Sequence, residues 1–156
     1  MKKAFILLFS LALFSFQSVS DKSGKVVGVS DGDTIKVLLD GVETKIRFAN
    51  IDAPEKSQAF GQAAKKFTSD ACFGKVVTIR ITDIDRYGRS IALVILPNGE
   101  ILNRNLVASG YAWHYKRYSN DASLDDLQTN AREKKLGLWA EANPVAPWEF
   151  RKTKGI

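Results

Sequence analysis

The sequence predicts an α+β domain, a five-stranded OB-fold β-barrel with three α-helices in the order βββαββαα. Three observations lead there. Apolar residues alternate with polar ones in five short runs, the period lengthens to that of a helix after the third and fifth runs, and Gly-containing pairs punctuate the chain between them. Five strands with a helix after the third is the winding of this barrel. The 156 residues leave room for one such domain, and a 45% apolar content supplies its core.

Each element follows from its local pattern. From Lys25 to Ala49 the alternation passes through Val27 and Val29, then Ile35, Val37 and Leu39, then Ile46 and Phe48, which makes a three-stranded meander. Asp31-Gly32 and Asp40-Gly41 separate the strands, a dipeptide that supplies positive φ at low cost in a tight hairpin. Residues 59–72 place Phe60, Ala64, Phe67 and Ala71 on one helical face, and Gly74 stands just past the end. Val76 to Thr82 and Ser90 to Leu96 are again strands, joined by a polar link at 83–89 and followed by the turn Pro97-Asn98-Gly99. Ile101 to Ser109 reads as a short helix closed by Gly110. Ser123, with Asp126 three residues on, opens the last helix, whose Leu124, Leu127 and Ala131 face inward until Gly137 stops it.

The two ends read differently. Lys2 and Lys3, the apolar stretch from Ala4 to Phe16 and the small residues Ser18-Val19-Ser20 have the pattern of a cleaved secretory signal over residues 1–20. The apolar run falls short of the ~20 residues needed to span a bilayer. The expectation is an exported protein, periplasmic or extracellular, with no membrane association in its mature form. The domain then covers 21–143, and 144–156 is a short basic tail. Arg151, Lys152 and Lys154 in that tail, like Lys65, Lys66, Lys134 and Lys135, read as solvated charges that add weak attraction to polyanions.

Composition removes several chemistries. With one Cys (Cys72) and one His (His114), the chain has neither an internal disulfide nor the nitrogen and sulfur ligands of a zinc site. A metal must sit on oxygens, and a catalytic base is expected to be a carboxylate. His114, between Trp113 and Tyr115, reads as packed rather than catalytic.

Three charged clusters remain: Asp31-Gly32-Asp33-Thr34, the stretch from Arg47 through Asn50-Ile51-Asp52-Ala53-Pro54-Glu55, and Asp85-Arg86-Tyr87-Gly88-Arg89. Each alone is an ordinary turn, strand end or hairpin link. An EF-hand is excluded at the first, because Lys36 and Val42 stand where its sixth-position Gly and twelfth-position Glu belong. Together the clusters change meaning, since all sit at strand ends that a barrel can bring to one mouth. Carboxylate oxygens suit a hard divalent cation, and planar guanidiniums match phosphate oxygens with paired hydrogen bonds. Those are the ingredients of phosphodiester cleavage.

The three motifs resemble those of the thermonuclease family, the staphylococcal-nuclease-like calcium-dependent nucleases. Ala131-Arg132-Glu133-Lys134-Lys135-Leu136-Gly137-Leu138-Trp139 is similar to the family's last helix and closing Trp, so the resemblance covers residues 25–140. It implies that Asp33 and Asp52 bind Ca²⁺ with the main-chain oxygen of Ala53, a position where many members carry Thr. It implies that Glu55 orients or deprotonates the attacking water, and that Arg47 and Arg89 stabilise the transition state and leaving oxygen. Arg86, Tyr87 and Tyr118 are the expected substrate contacts. Two carboxylate ligands suggest loose calcium binding, in the ~10⁻⁴ to 10⁻³ M range of extracellular modules. The expected function is a monomeric, calcium-dependent endonuclease that hydrolyses DNA and RNA with low sequence specificity. The alternative is a catalytically inactive OB-fold module that only binds nucleic acid; it is disfavoured because Arg47, Glu55 and Arg89 all stand.

Overall fold

The structure, a computed structural model, describes residues 21–155; the expected export signal at 1–20 lies outside the described residues. In chain order the first half comprises β1 (Asp21–Asp31), β2 (Thr34–Leu39), β3 (Val42–Phe48), β4 (Ile51–Asp52) and α1 (Gly61–Cys72). The second half comprises β5 (Val76–Ile84), β6 (Ser90–Ile95), α2 (Leu102–Ala108), β7 (Trp113–His114), α3 (Ala122–Glu133), a 3₁₀ turn (Gly137–Ala140) and α4 (Pro147–Lys154). Five strands close into a barrel in the order β1-β2-β3-β6-β5, as the alternation predicts. All its pairings are antiparallel except β3 with β6, which run parallel.

Alternate residues of these strands fill the barrel. Val26, Ile35, Val37, Ile46, Val77, Ile79, Ala92 and Val94 are all buried, and Leu102, Leu106 and Val107 of α2 join the same core. Asn103 of α2 is buried where β3 and β6 part. Its Oδ1 accepts from the Val94 N–H at 3.0 Å, and its Nδ2 donates to the carbonyls of Ala49 and Ala92 at 3.0 and 3.1 Å. A polar side chain thus satisfies backbone groups that the ladder leaves over.

The two Asp-Gly pairs differ. Asp40 and Gly41 have φ of 51° and 82°, the left-handed pair that a two-residue hairpin needs. Gly32 does not have positive φ; it is small because α1 packs on it, and a Cβ there would lie 2.8 Å from the Ala64 Cβ and 2.9 Å from the Ala53 Cβ. Thr68 of α1 completes the seat by donating its hydroxyl to the Gly32 carbonyl at 2.5 Å.

Three features depart from expectation. β4 and β7, two residues each, form an antiparallel pair that no alternation can announce at that length. The cap of α3 is Asp121 rather than Ser123: its carboxylate accepts the Ser123 N–H at 2.9 Å. The third is α4, so the described chain has four α-helices, not three, and the expected basic tail contains one of them. Pro147 at the start and left-handed Gly155 at the end are the ordinary boundary signals of a helix.

Candidate active site

The turn between β1 and β2 carries Asp33, and the end of β3 carries Arg47, in register because Thr34 pairs with Arg47. After Phe48 the chain reverses at Asn50, whose φ of 67° is one that asparagine tolerates. That reversal brings Asp52 of β4 back over Arg47. The guanidinium forks between two buried carboxylates: Nη2 donates to Asp52 Oδ1 at 2.7 Å, while Nη1 lies 2.5 Å from Asp33 Oδ2. The second contact is ionic without an aligned hydrogen bond, so Nη1 is a buried donor with no aligned acceptor.

Asp33 also accepts the Ala53 N–H at 2.5 Å and the Thr34 hydroxyl at 3.2 Å. Burial pushes its carboxyl above the usual carboxylate range, Arg47 pulls it back, and the charge of Asp52 pushes it up again. Glu55 follows on a loop held close to α1: a Cβ on Gly61 would run into the Glu55 carbonyl, so only glycine fits there.

Arg151, expected as a solvated tail residue, is instead part of this cluster. From α4 its Nη2 donates to Asp52 Oδ2 at 2.7 Å, and its Nη1 donates to Glu55 Oε1 at 2.7 Å and Asp52 Oδ1 at 3.2 Å. The Asp52 carboxylate raises the guanidinium above its ordinary value against the cost of burial, and Glu55 adds to the effect. Gln58 anchors the approach to α4 by donating to the Val145 carbonyl at 2.6 Å. Pro147 and Gly155 are signals that could have announced the helix, which the reading as a basic tail missed, but nothing local marks a pairing across 96 residues.

Arg89 stands immediately before Ser90, which pairs with Ile46 beside Arg47. Its side chain is held by Asp85, Nε to Oδ2 at 2.6 Å, and among the described residues no ion pair joins it to Asp33, Asp52 or Glu55. Asp85 organises the whole link, its Oδ1 accepting the N–H of Tyr87 and of Arg89 at 2.9 Å each. Burial favours the neutral acid there, but hydrogen bonds from the Arg89 N–H and side chain and from the Tyr87 N–H outweigh it and hold Asp85 low. Tyr87 is exposed, with the Arg86 guanidinium 4.8 Å from its ring centre and Arg86 Nη2 donating to its hydroxyl at 2.6 Å. Tyr118 is equally exposed, and Arg117 lies 5.7 Å from its ring centre. His114 is buried, with Nδ1 2.8 Å from Asp125, as a packed side chain should be.

Among the described residues no group of three or more carboxylate, imidazole or thiol side chains gathers as a metal cage. The donor set still fits a hard cation: Asp33, Asp52 and Glu55 converge on one cluster, held there by Arg47 and Arg151, and offer the carboxylate oxygens such an ion takes.

Arginines and carboxylates gathered at one mouth of an OB-type barrel are groups that suit phosphodiester hydrolysis. A sequence profile described as staphylococcal nuclease homologue matches residues 45–141. An Escherichia coli protein called an uncharacterized endonuclease is 42% identical over 145 residues, covering 92% of this chain and 95% of its own. A Haemophilus influenzae protein of the same description is 42% identical over 151 residues, covering 96% and 84%. One from Shigella flexneri, called micrococcal nuclease, is 36% identical over 150 residues, covering 90% and 86%. The chain belongs to the staphylococcal nuclease family.

Proposed function

We propose that this nuclease is calcium-dependent and hydrolyses phosphodiester bonds of both DNA and RNA with low sequence specificity, as an exported monomer free of membranes. The observation that carries the reading is the Arg47 fork between Asp33 and Asp52, with Glu55 tied to the same cluster. The endonuclease and micrococcal nuclease names of the relatives support it.

Asp33, Asp52 and the main-chain oxygen of Ala53 would hold the cation. When bound, calcium neutralises charge on the phosphoryl oxygens. The chain's own groups do the rest. The Arg47 guanidinium, held at the cluster by Asp33 and Asp52, turns a donor to a phosphoryl oxygen. Glu55 takes a proton from the attacking water as its oxygen bonds to phosphorus. Arg89, exchanging Asp85 for the substrate, stabilises the departing oxygen as the P–O bond breaks. Arg86, Tyr87 and Tyr118, on the exposed rim, contact the strand being cut. Export, supported by the pattern of residues 1–20, brings a loosely held cation site to where calcium is abundant.

The test incubates the protein with single-stranded DNA and with RNA, in calcium or in chelator, beside Glu55→Gln. Cleavage of both polymers in calcium is expected, none in chelator, with turnover about 10²-fold lower in the variant. Undiminished cleavage in chelator would overturn the calcium reading, and undiminished cleavage by Glu55→Gln would overturn the role of that carboxylate.

A further inference from the structure

Glu55, the proposed base, lies outside every helix and strand, since residues 53–60 between β4 and α1 are turns and irregular chain. A carboxylate on a turn keeps one position only if the turn is tied down. Arg151 meets its side chain, but its main chain is held by another residue, the buried Gln58. The Gln58 N–H donates to the Glu55 carbonyl at 2.8 Å, and Gln58 Oε1 accepts the Glu55 N–H at 3.2 Å, so both backbone groups of Glu55 end on one residue. The Gly61 N–H donates in turn to the Gln58 carbonyl at 3.0 Å, which carries the turn into α1.

The other end of the Gln58 amide reaches a distant part of the chain. Its Nε2 donates to the Val145 carbonyl at 2.6 Å, just ahead of Pro147, where α4 opens. Glutamine suits this place because one end of the group must face a donor and the other an acceptor, and an ionised glutamate has nothing to donate to Val145. Among the described residues two hydrogen-bonded ties cross from the 53–60 turn to the chain after the 3₁₀ turn, Gln58 to Val145 and Arg151 to Glu55. The first sets where α4 begins, and the second is made from that helix. Phe60 is an independent sign that the turn is over-determined. Its φ is 63°, in the left-handed region that bulky residues rarely adopt, and its side chain is packed against the cluster of Ala131, Leu138 and Trp139.

We infer that Gln58 is a positioning residue of the nuclease reaction: its amide joins the main chain of Glu55 to the anchor of α4 and so fixes where the Glu55 carboxylate stands. The inference rests on the proposed role of Glu55 as the base. A base must lie within hydrogen-bond reach of the water it deprotonates, and a displacement of about 1 Å can cost ~10²-fold in rate. Without the amide the turn loses its tie to Val145, and the Glu55 N–H loses its acceptor. Arg151 then restrains a carboxylate whose backbone can shift. Gln58 touches no reacting atom, and its effect passes wholly through Glu55.

The test is a double-mutant cycle on the rates of cleavage of single-stranded DNA in calcium, with urea unfolding of each variant alongside. Gln58→Met, similar in length but without a hydrogen-bond donor, is expected to lower kcat about tenfold with little change in KM. In a Glu55→Gln background, where no base remains to be aimed, the same substitution is expected to lower kcat no further. Its cost in stability should be the same in both backgrounds, a contrast that a merely structural residue does not give. Gln58→Glu, which keeps the acceptor and gives up the donor when ionised, is expected to show the same pattern with a smaller loss, and it carries the cycle if Gln58→Met does not fold. Wild-type kcat in the Gln58 variants, a loss confined to KM, or an equal loss of kcat in both backgrounds overturns the inference. Undiminished turnover by Glu55→Gln alone overturns the role of Glu55 instead, and that result is read before Gln58 is changed.

Discussion

At the level of single side chains, the reaction centre depends on shape as much as on charge. Arg47 spans two carboxylates because a guanidinium is a planar fork, and a lysine ammonium is a point. Arg47→Lys is therefore expected to keep the fold, by circular dichroism, and to lose about 10²-fold in turnover. Asp121 is a second residue with a distinct job. Its Oδ1 accepts the Ser123 hydroxyl at 2.5 Å, and this hydrogen bond, against burial and with help from the Ser123 N–H, holds the carboxyl below its ordinary range. Because the folded value lies below the unfolded one, near 3.9, the ionised cap stabilises the protein at neutral pH, and that contribution is lost as pH falls through the folded value. Asp121→Ala should cost about 1 kcal/mol at pH 7 in urea unfolding and clearly less near pH 2. An equal cost at both values would mean that the carboxylate is not the cap.

Among the elements, α4 contributes what was least expected. It carries Arg151 to Asp52 and Glu55, and with them it closes a cluster begun by strands near the other end of the chain. Arg151→Ala removes charge-assisted hydrogen bonds from a buried carboxylate and should lower stability by about 2 kcal/mol. Turnover should fall as well, since Glu55 loses its restraint, whereas Lys154→Ala, at an exposed position of the same helix, should change neither. Urea unfolding and initial rates on single-stranded DNA measure both effects. Equal behaviour of the two variants would return Arg151 to the role of a solvated charge. Helix α1 shows the complementary case of an element legible in advance. Its 4-3-4 spacing of apolar residues is a local property, and its seat against Gly32 follows from the small residues Ala53 and Ala64.

For the whole molecule, the proposed cation site at the mouth of the barrel would link ion binding to folding, because its carboxylates come together only in the folded chain. A cation that binds only the folded state at a hundred times its Kd adds about 2.7 kcal/mol. Calcium should therefore raise Tm in differential scanning calorimetry, and Asp33→Asn should abolish the rise; identical melting in calcium and in chelator would remove the ion from the site. The closed barrel also explains how motifs distant in the chain share one mouth. Thr34 pairs with Arg47, and Arg47 with Ile91, two residues after Arg89, so three turns and strand ends lie side by side once the strands are in register.

Periodicity and turn chemistry in the sequence determined the five barrel strands and the first three helices, because backbone propensity and alternate burial act over a few residues. Asp33, Asp52, Arg47, Glu55 and Arg89 stood out in the sequence as charged clusters at strand ends and turns, and the family resemblance, not periodicity, implied their roles. Tertiary structure alone decided three things: that Arg47 bridges two carboxylates, that Asp85 holds Arg89 apart from them, and that Arg151 arrives from the far end of the chain to complete the cluster. Such contacts are set by closure of the barrel and docking of α4, and a charge whose partner is nearly a hundred residues away leaves no local trace of the pairing.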